Sequence, residues 1–113
     1  MFGSSVPEVE AATLPDDAVL LDVREPHEWE AGHAPNAVHV PMGELGSRLA
    51  DLPAVEADEK LYIVCRGGGR SSRATEALGQ AGYPAVNVAG GMTAWSLAGK
   101  PMESETDGPP EVA

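Results

Sequence analysis

The feature that most constrains this chain is the alternation of short, nearly unbroken apolar runs with helix-patterned segments. Residues 18–23 (AVLLDV), 37–40 (AVHV), 61–64 (LYIV) and 85–88 (AVNV) are rich in β-branched side chains. A strand with one wet face alternates apolar with polar residues. A continuous apolar run instead fits a strand covered on both faces, as in a parallel sheet between helices. Ser5-Val6 adds a short candidate first strand. Between the runs, residues 7–14 open with Ser5 and Glu8 in capping-box spacing and a proline in the first turn, which predicts a helix. Residues 25–31 predict a short helix ended by Gly32, and residues 43–52 place Leu45, Leu49 and Leu52 on one helical face. Residues 71–81 set Ala74, Ala77, Leu78 and Ala81 at helical spacing before Gly82, and residues 92–98 stack Met92 and Trp95 before Gly99. This order predicts an α/β three-layer domain.

With 113 residues the chain fits one domain. At this size folding hides roughly 65% of the accessible surface, enough to stand without disulfides or a structural metal. Residues 1–102 are expected to form that domain. Residues 103–113 (ESETDGPPEVA) are acidic and proline-bearing with little to bury, and read as a flexible tail. The opening Met1-Phe2-Gly3-Ser4-Ser5 has neither a basic leader nor an apolar core, so no secretory signal is expected and the default location is cytoplasmic. A formal charge of −11 disfavours nucleic acid and anionic membranes as partners. Lys60, Arg66, Arg70 and Arg73 are four of the seven bases, and no carboxylate falls between Glu59 and Glu76. A basic island in an acidic protein points to a local anion site.

Inside that island lies Cys65, the only cysteine, which therefore has no internal disulfide partner. It is an inert buried thiol, a partner for another molecule, or a reactive centre. Its setting favours the last. Cys65 follows the 61–64 strand directly, and ligands of open parallel sheets bind beyond the carboxyl ends of strands. The loop Cys65-Arg66-Gly67-Gly68-Gly69-Arg70-Ser71 then enters a helix. Its glycines free backbone amides to converge on one centre, and a helix N-terminus adds partial positive charge. Such a nest lowers a cysteine pKa from its ordinary ~8.5, and the thiolate is the nucleophile.

Three stretches together resemble the rhodanese family. Residues 21–40 (LDVREPHEWEAGHAPNAVHV) are similar to its first signature, Cys65–Arg70 to its active-site loop, and Gly90-Gly91-Met92-Thr93-Ala94-Trp95 through Gly99-Lys100-Pro101 to its C-terminal signature. The resemblance spans roughly residues 5–102. It implies a five-stranded parallel sheet between helices and sulfurtransferase activity, with a persulfide on Cys65 as the covalent intermediate and no other cofactor. The implied partners are a small-molecule donor such as thiosulfate, an acceptor such as cyanide or a thiol, and possibly a protein donor or acceptor. By the same resemblance Cys65 is the nucleophile, Arg66, Gly67, Gly68, Gly69, Arg70 and Ser71 form the cradle, and Arg66 and Arg70 hold a sulfonate, which suits guanidinium forks. A competing function is a sulfur-carrier or protein-interaction module with little small-molecule turnover. Phosphatases and arsenate reductases of the same fold place five residues between cysteine and arginine. Here there are four, a loop sized for one sulfur rather than a tetrahedral oxyanion.

Other residues carry weaker signals. Asp22 and Arg24, at the end of a strand expected beside that of Cys65, are read as bonding to the loop backbone and fixing its shape. His33 is read as bracing a turn. His27, His33 and His39 recur at six-residue intervals but fall on different elements with no second cysteine, so no metal site is expected. Gly67-x-Gly69 lacks the third glycine of a dinucleotide loop, Ser72 standing in its place, and Asn87 falls near where an acid is wanted. Trp29 and Trp95 are read as core anchors, with Trp95 near the site.

Overall fold

The structure is a computed structural model that describes residues 6–113. Five parallel strands form one sheet: β1 (Glu8–Glu10), β2 (Leu20–Asp22), β3 (Ala37–His39), β4 (Leu61–Val64) and β5 (Ala85–Ala89), in the order β1-β5-β4-β2-β3. Three α-helices connect and cover it: α1 (Pro26–Ala31), α2 (Gly69–Gln80) and α3 (Gly91–Leu97). The expected three-layer α/β architecture is present.

The apolar runs behave as two-faced strands. Leu21, Ile63 and Ala85 face a core with Val23, Val40, Ala74 and Leu78. Their neighbours Leu20, Val64 and Val88 face a second core with Met92 and Trp95. Alternate side chains of a strand point to opposite faces, so both faces are covered. The register sets Asp22 opposite Val64, which brings the end of β2 beside the residue preceding Cys65.

Three segments differ from the sequence expectation. Residues 7–14 form strand β1 and one 3-10 turn (Ala11–Thr13) rather than a helix. Glu8, Val9 and Glu10 alternate polar and apolar, and the open edge of β5 pairs them with Asn87, Val88 and Ala89. Tertiary pairing thus overrides a local helical signal. The capping residue and first strand expected at Ser5 lie outside the described residues, and Val6 precedes β1. Residues 43–52 form two 3-10 helices, Met42–Ser47 and Leu49–Asp51, parted at Arg48 (φ −125°). Gly43 and Gly46 weaken an α-helix there, and Leu49 stays 42% exposed instead of sharing a buried face with Leu45.

The acidic segment after Met102 lies against the domain rather than leaving it. Glu103 and His33 exchange two backbone hydrogen bonds of 2.9 Å, and the amides of Glu105 and Glu111 donate to the carbonyls of Glu30 and Ala31. Val112 packs on the Trp95 core. Composition misleads here because main-chain pairing needs few apolar side chains.

Candidate active site

Cys65 is the first residue beyond β4, and its side chain is almost wholly enclosed, at 1% exposure. The chain then turns through Gly68, whose φ of 110° favours glycine, into α2. That turn aims the Gly68 N–H at Cys65 Sγ, 3.0 Å away, and Ser71 Oγ lies 3.3 Å from the same sulfur. Burial pushes the Cys65 thiol up. The Ser71 hydroxyl and the backbone N–H groups of Ser71, Gly68 and Gly67 outweigh that and bring it below its ordinary value. Of the loop amides, that of Gly68 makes the hydrogen bond to the sulfur, and only Gly68 of the three glycines needs a left-handed backbone.

The loop is held from behind by α3. Met92 N–H donates to the Cys65 carbonyl (2.8 Å) and Thr93 N–H to that of Arg66 (3.0 Å), so orphan amides of a helix start satisfy the carbonyls that face away from the sulfur. Gly91 permits the approach: a Cβ there would lie 2.7 Å from the Arg66 carbonyl oxygen and closer still to that of Cys65. Asn87, buried in β5, accepts from Ser71 Oγ at 2.6 Å and donates to Glu8 at 2.9 Å.

The arginines are placed differently from expectation. Arg70 does not present a free fork to the site. It grips Glu28 of α1 in a bidentate pair of 2.7 and 2.8 Å. Glu28 also accepts the Glu25 N–H at the start of α1. The bond from Arg70 holds its carboxyl at about 2 against the desolvation that opposes it. Arg70 is raised by the Glu28 bond and feels the charge of Cys65. Arg66 is exposed, and its Nε donates to the Ala113 carbonyl.

Asp22 and Arg24 also depart from the reading. They are not bound to the Cys65 loop but are a fully buried pair, with Arg24 Nη2 at 2.8 Å from Asp22 and 2.7 Å from the Gly32 carbonyl. Arg24 Nη2 ties β2 to the end of α1 through the Gly32 carbonyl, while Arg24 Nη1 is buried with no hydrogen-bond partner among the described residues. His33 braces its turn: Nδ1 lies 3.0 Å from the Ala34 carbonyl oxygen and Nε2 2.8 Å from Glu105. Trp29 is half-buried and stacks on His33 and His39, whereas Trp95 is fully buried. His39 Nε2 meets the Arg24 carbonyl, so the three histidines do not converge. His33, Glu103 and Glu105 bring potential ligand atoms within 4.8 Å of one another, a grouping common on acidic surfaces without an ion.

Cys65, Gly67, Gly68 and Ser71 are therefore brought together, with Gly69 opening α2. Glu28, Gly91 and Asn87 were missed. The single polar side chain in the AVNV run was the available signal for Asn87, since a buried amide needs partners.

This arrangement coincides with a known family. A model of the rhodanese-like domain matches residues 6–98. The chain belongs to the rhodanese-like domain family. This rhodanese-like domain is 38% identical over 88 residues to a sulfurtransferase of Allochromatium vinosum, covering 77% of this chain and 79% of that one. It is 34% identical over 116 residues to thiosulfate sulfurtransferase 16, chloroplastic, of Arabidopsis thaliana, covering 89% and 97%. The crystal structure of a rhodanese-related protein from Thermoplasma volcanium superposes with a TM-score of 0.75 at 34% identity, covering 86% of this chain and 97% of the other. Relatives at about this identity support a general role in sulfur transfer. Among the described residues no helix of the rhodanese-like domain is long and apolar enough to cross a membrane.

Proposed function

We propose that the protein is a sulfurtransferase that moves sulfane sulfur from thiosulfate or a persulfide donor to a thiol or cyanide acceptor through a persulfide on Cys65. The observation that carries this is the Gly68 N–H at 3.0 Å from Cys65 Sγ, at the end of a parallel strand and the start of a helix. Thiolate Sγ attacks the outer sulfur of the donor. The new Sγ–S bond forms as the donor bond breaks, and the leaving group, sulfite or a thiolate, departs with the electron pair. The acceptor nucleophile then takes the outer sulfur and returns Sγ as thiolate. No external oxidant is required, and ping-pong kinetics follow. With the Arg70 fork closed on Glu28, Arg66 is the cation left for a sulfonate.

Incubation with thiosulfate followed by intact mass should show one added sulfur atom, removed by dithiothreitol and absent in Cys65→Ser. No adduct with thiosulfate or a small persulfide, or an adduct that survives Cys65→Ser, would count against the reading.

A second reading, sulfur relay with a protein partner, is favoured by one observation. Leu97, 84% exposed, lines a groove with Arg66 and Thr93 beside the loop. Fast loading from a persulfidated protein together with slow thiosulfate turnover supports relay; efficient cyanide turnover opposes it.

A further inference from the structure

We propose that Asn87 is a positioning residue that competes with Cys65 for the single hydroxyl proton of Ser71 and thereby prolongs the life of the persulfide. The inference rests on the Cys65-persulfide reading above and adds a residue that acts through Ser71.

The amide orientation is fixed by its surroundings. Asn87 Nδ2 lies 2.9 Å from Glu8 Oε2 and 3.4 Å from the Gly68 carbonyl oxygen, and both can only accept, so the NH2 group must face them. The amide oxygen must then face Ser71 Oγ, 2.6 Å away. Ser71 has one hydroxyl hydrogen and two acceptors: Asn87 Oδ1 at 2.6 Å and Cys65 Sγ at 3.3 Å. Both Ser71 and Asn87 are buried, at 0% and 1% exposure, which leaves little room for a substitute water. With Cys65 as a thiol, S–H donates to Ser71 Oγ while Ser71 donates to Asn87, and every group is satisfied. With Cys65 as a thiolate, the hydroxyl must turn to sulfur, and a buried carbonyl oxygen loses its donor.

The persulfide resolves this conflict. Its charge resides on the outer sulfur, Sγ becomes a weak acceptor, and the Ser71 hydroxyl returns to Asn87. Discharge reverses the sequence, because Sγ must leave as thiolate. A leaving thiol of higher pKa leaves more slowly. Asn87 thus weights the cycle toward the loaded state. The other charged groups around Cys65 are Arg70 of α2, paired with Glu28 of α1, then Arg66 of the loop and Glu8 of β1. The Asp22–Arg24 pair at the end of β2 carries its own counter-charge.

The test is the pH profile of Cys65 alkylation by iodoacetamide, together with the rate of persulfide discharge to a small thiol. Asn87→Leu removes the competing acceptor at similar volume. The alkylation midpoint should fall by about half to one pH unit, the worth of one hydrogen bond. Discharge should quicken by about twofold. Ser71→Ala should raise the midpoint, and adding Asn87→Leu to it should change nothing further. An upward shift in Asn87→Leu, as a loosened amide nest would give, overturns the proposal.

Glu8 is exposed, so Glu8→Gln tests the same point without disturbing the core. It weakens the hold on the amide NH2, which the Gly68 carbonyl still shares, and should lower the midpoint by less than Asn87→Leu does, with the effect abolished in the Ser71→Ala background. A shift that persists there is a direct charge effect and also overturns the proposal. Alkylation needs no sulfur donor. A protein that never accepts sulfur would therefore break the preceding reading while leaving this measurement intact.

Discussion

Strands β2 and β4 run side by side, with Asp22 opposite Val64, yet their carboxyl ends treat charge in opposite ways. Beyond β2, Asp22 and Arg24 pair through Nε and Nη2, a backbone carbonyl takes a further guanidinium hydrogen, and Arg24 Nη1 is buried with no partner among the described residues. Beyond β4 stands a lone sulfur, met by the Gly68 main-chain N–H and the Ser71 hydroxyl. A side-chain ion pair cancels its own charge. An amide nest carries no counter-charge of its own, so it can receive an anion, release it and receive another. On the proposed chemistry, the difference separates a strand end that fixes structure from one that turns over.

Four substitutions sharpen or break this comparison. Asp22→Ala strands a buried guanidinium and should cost about 3–5 kcal/mol in chemical denaturation. The alkylation profile of Cys65 in the folded protein should stay in place; a large shift would mean that the two strand ends are not independent. Gly91→Ala forces a side chain at φ +55° against the loop carbonyls. It should cost ~2 kcal/mol and raise the alkylation midpoint, since the amides lose their backing.

Glu28→Gln opens the clasp on Arg70. With Arg70 part-exposed, the expected loss is about 1–2 kcal/mol, and kcat/KM for thiosulfate should rise as the freed fork reaches an oxyanion donor. The sign of its pH dependence follows from a carboxyl held at about 2 when folded and near 4.5 otherwise. The stabilisation is fully present above that ordinary value and is lost as pH falls toward 2. Wild type should lose stability across that window by more than Glu28→Gln does. The smallest effect belongs to Arg48→Ala. Its surface bonds to Glu44 and Asp51 are exposed, and thermal melts should not distinguish it from wild type.

Much of the fold is legible in the amino-acid sequence. The LYIV run is β4 residue for residue: a four-residue apolar run with β-branched side chains is too short for a helix and suits a strand covered on both sides. The position of Cys65, after that strand and before glycines and a helix, is legible in the same way. What failed was long-range. The partner of Arg70 is 42 residues distant, and no local pattern shows that a basic side chain in an anion loop is already engaged. Asp22 and Arg24 look equally able to reach the loop or one another, and only the packing of α1 decides. The stretch 7–14 was lost to an open sheet edge, which is a property of β5 and not of that stretch.

The enclosure of Cys65 has a geometric corollary. On the proposed chemistry, a second sulfur adds one S–S bond of about 2 Å to a side chain that is itself only 1% exposed. Bulky oxidants and a twin molecule are screened from the unloaded thiol, whereas an acceptor need reach only the outer sulfur.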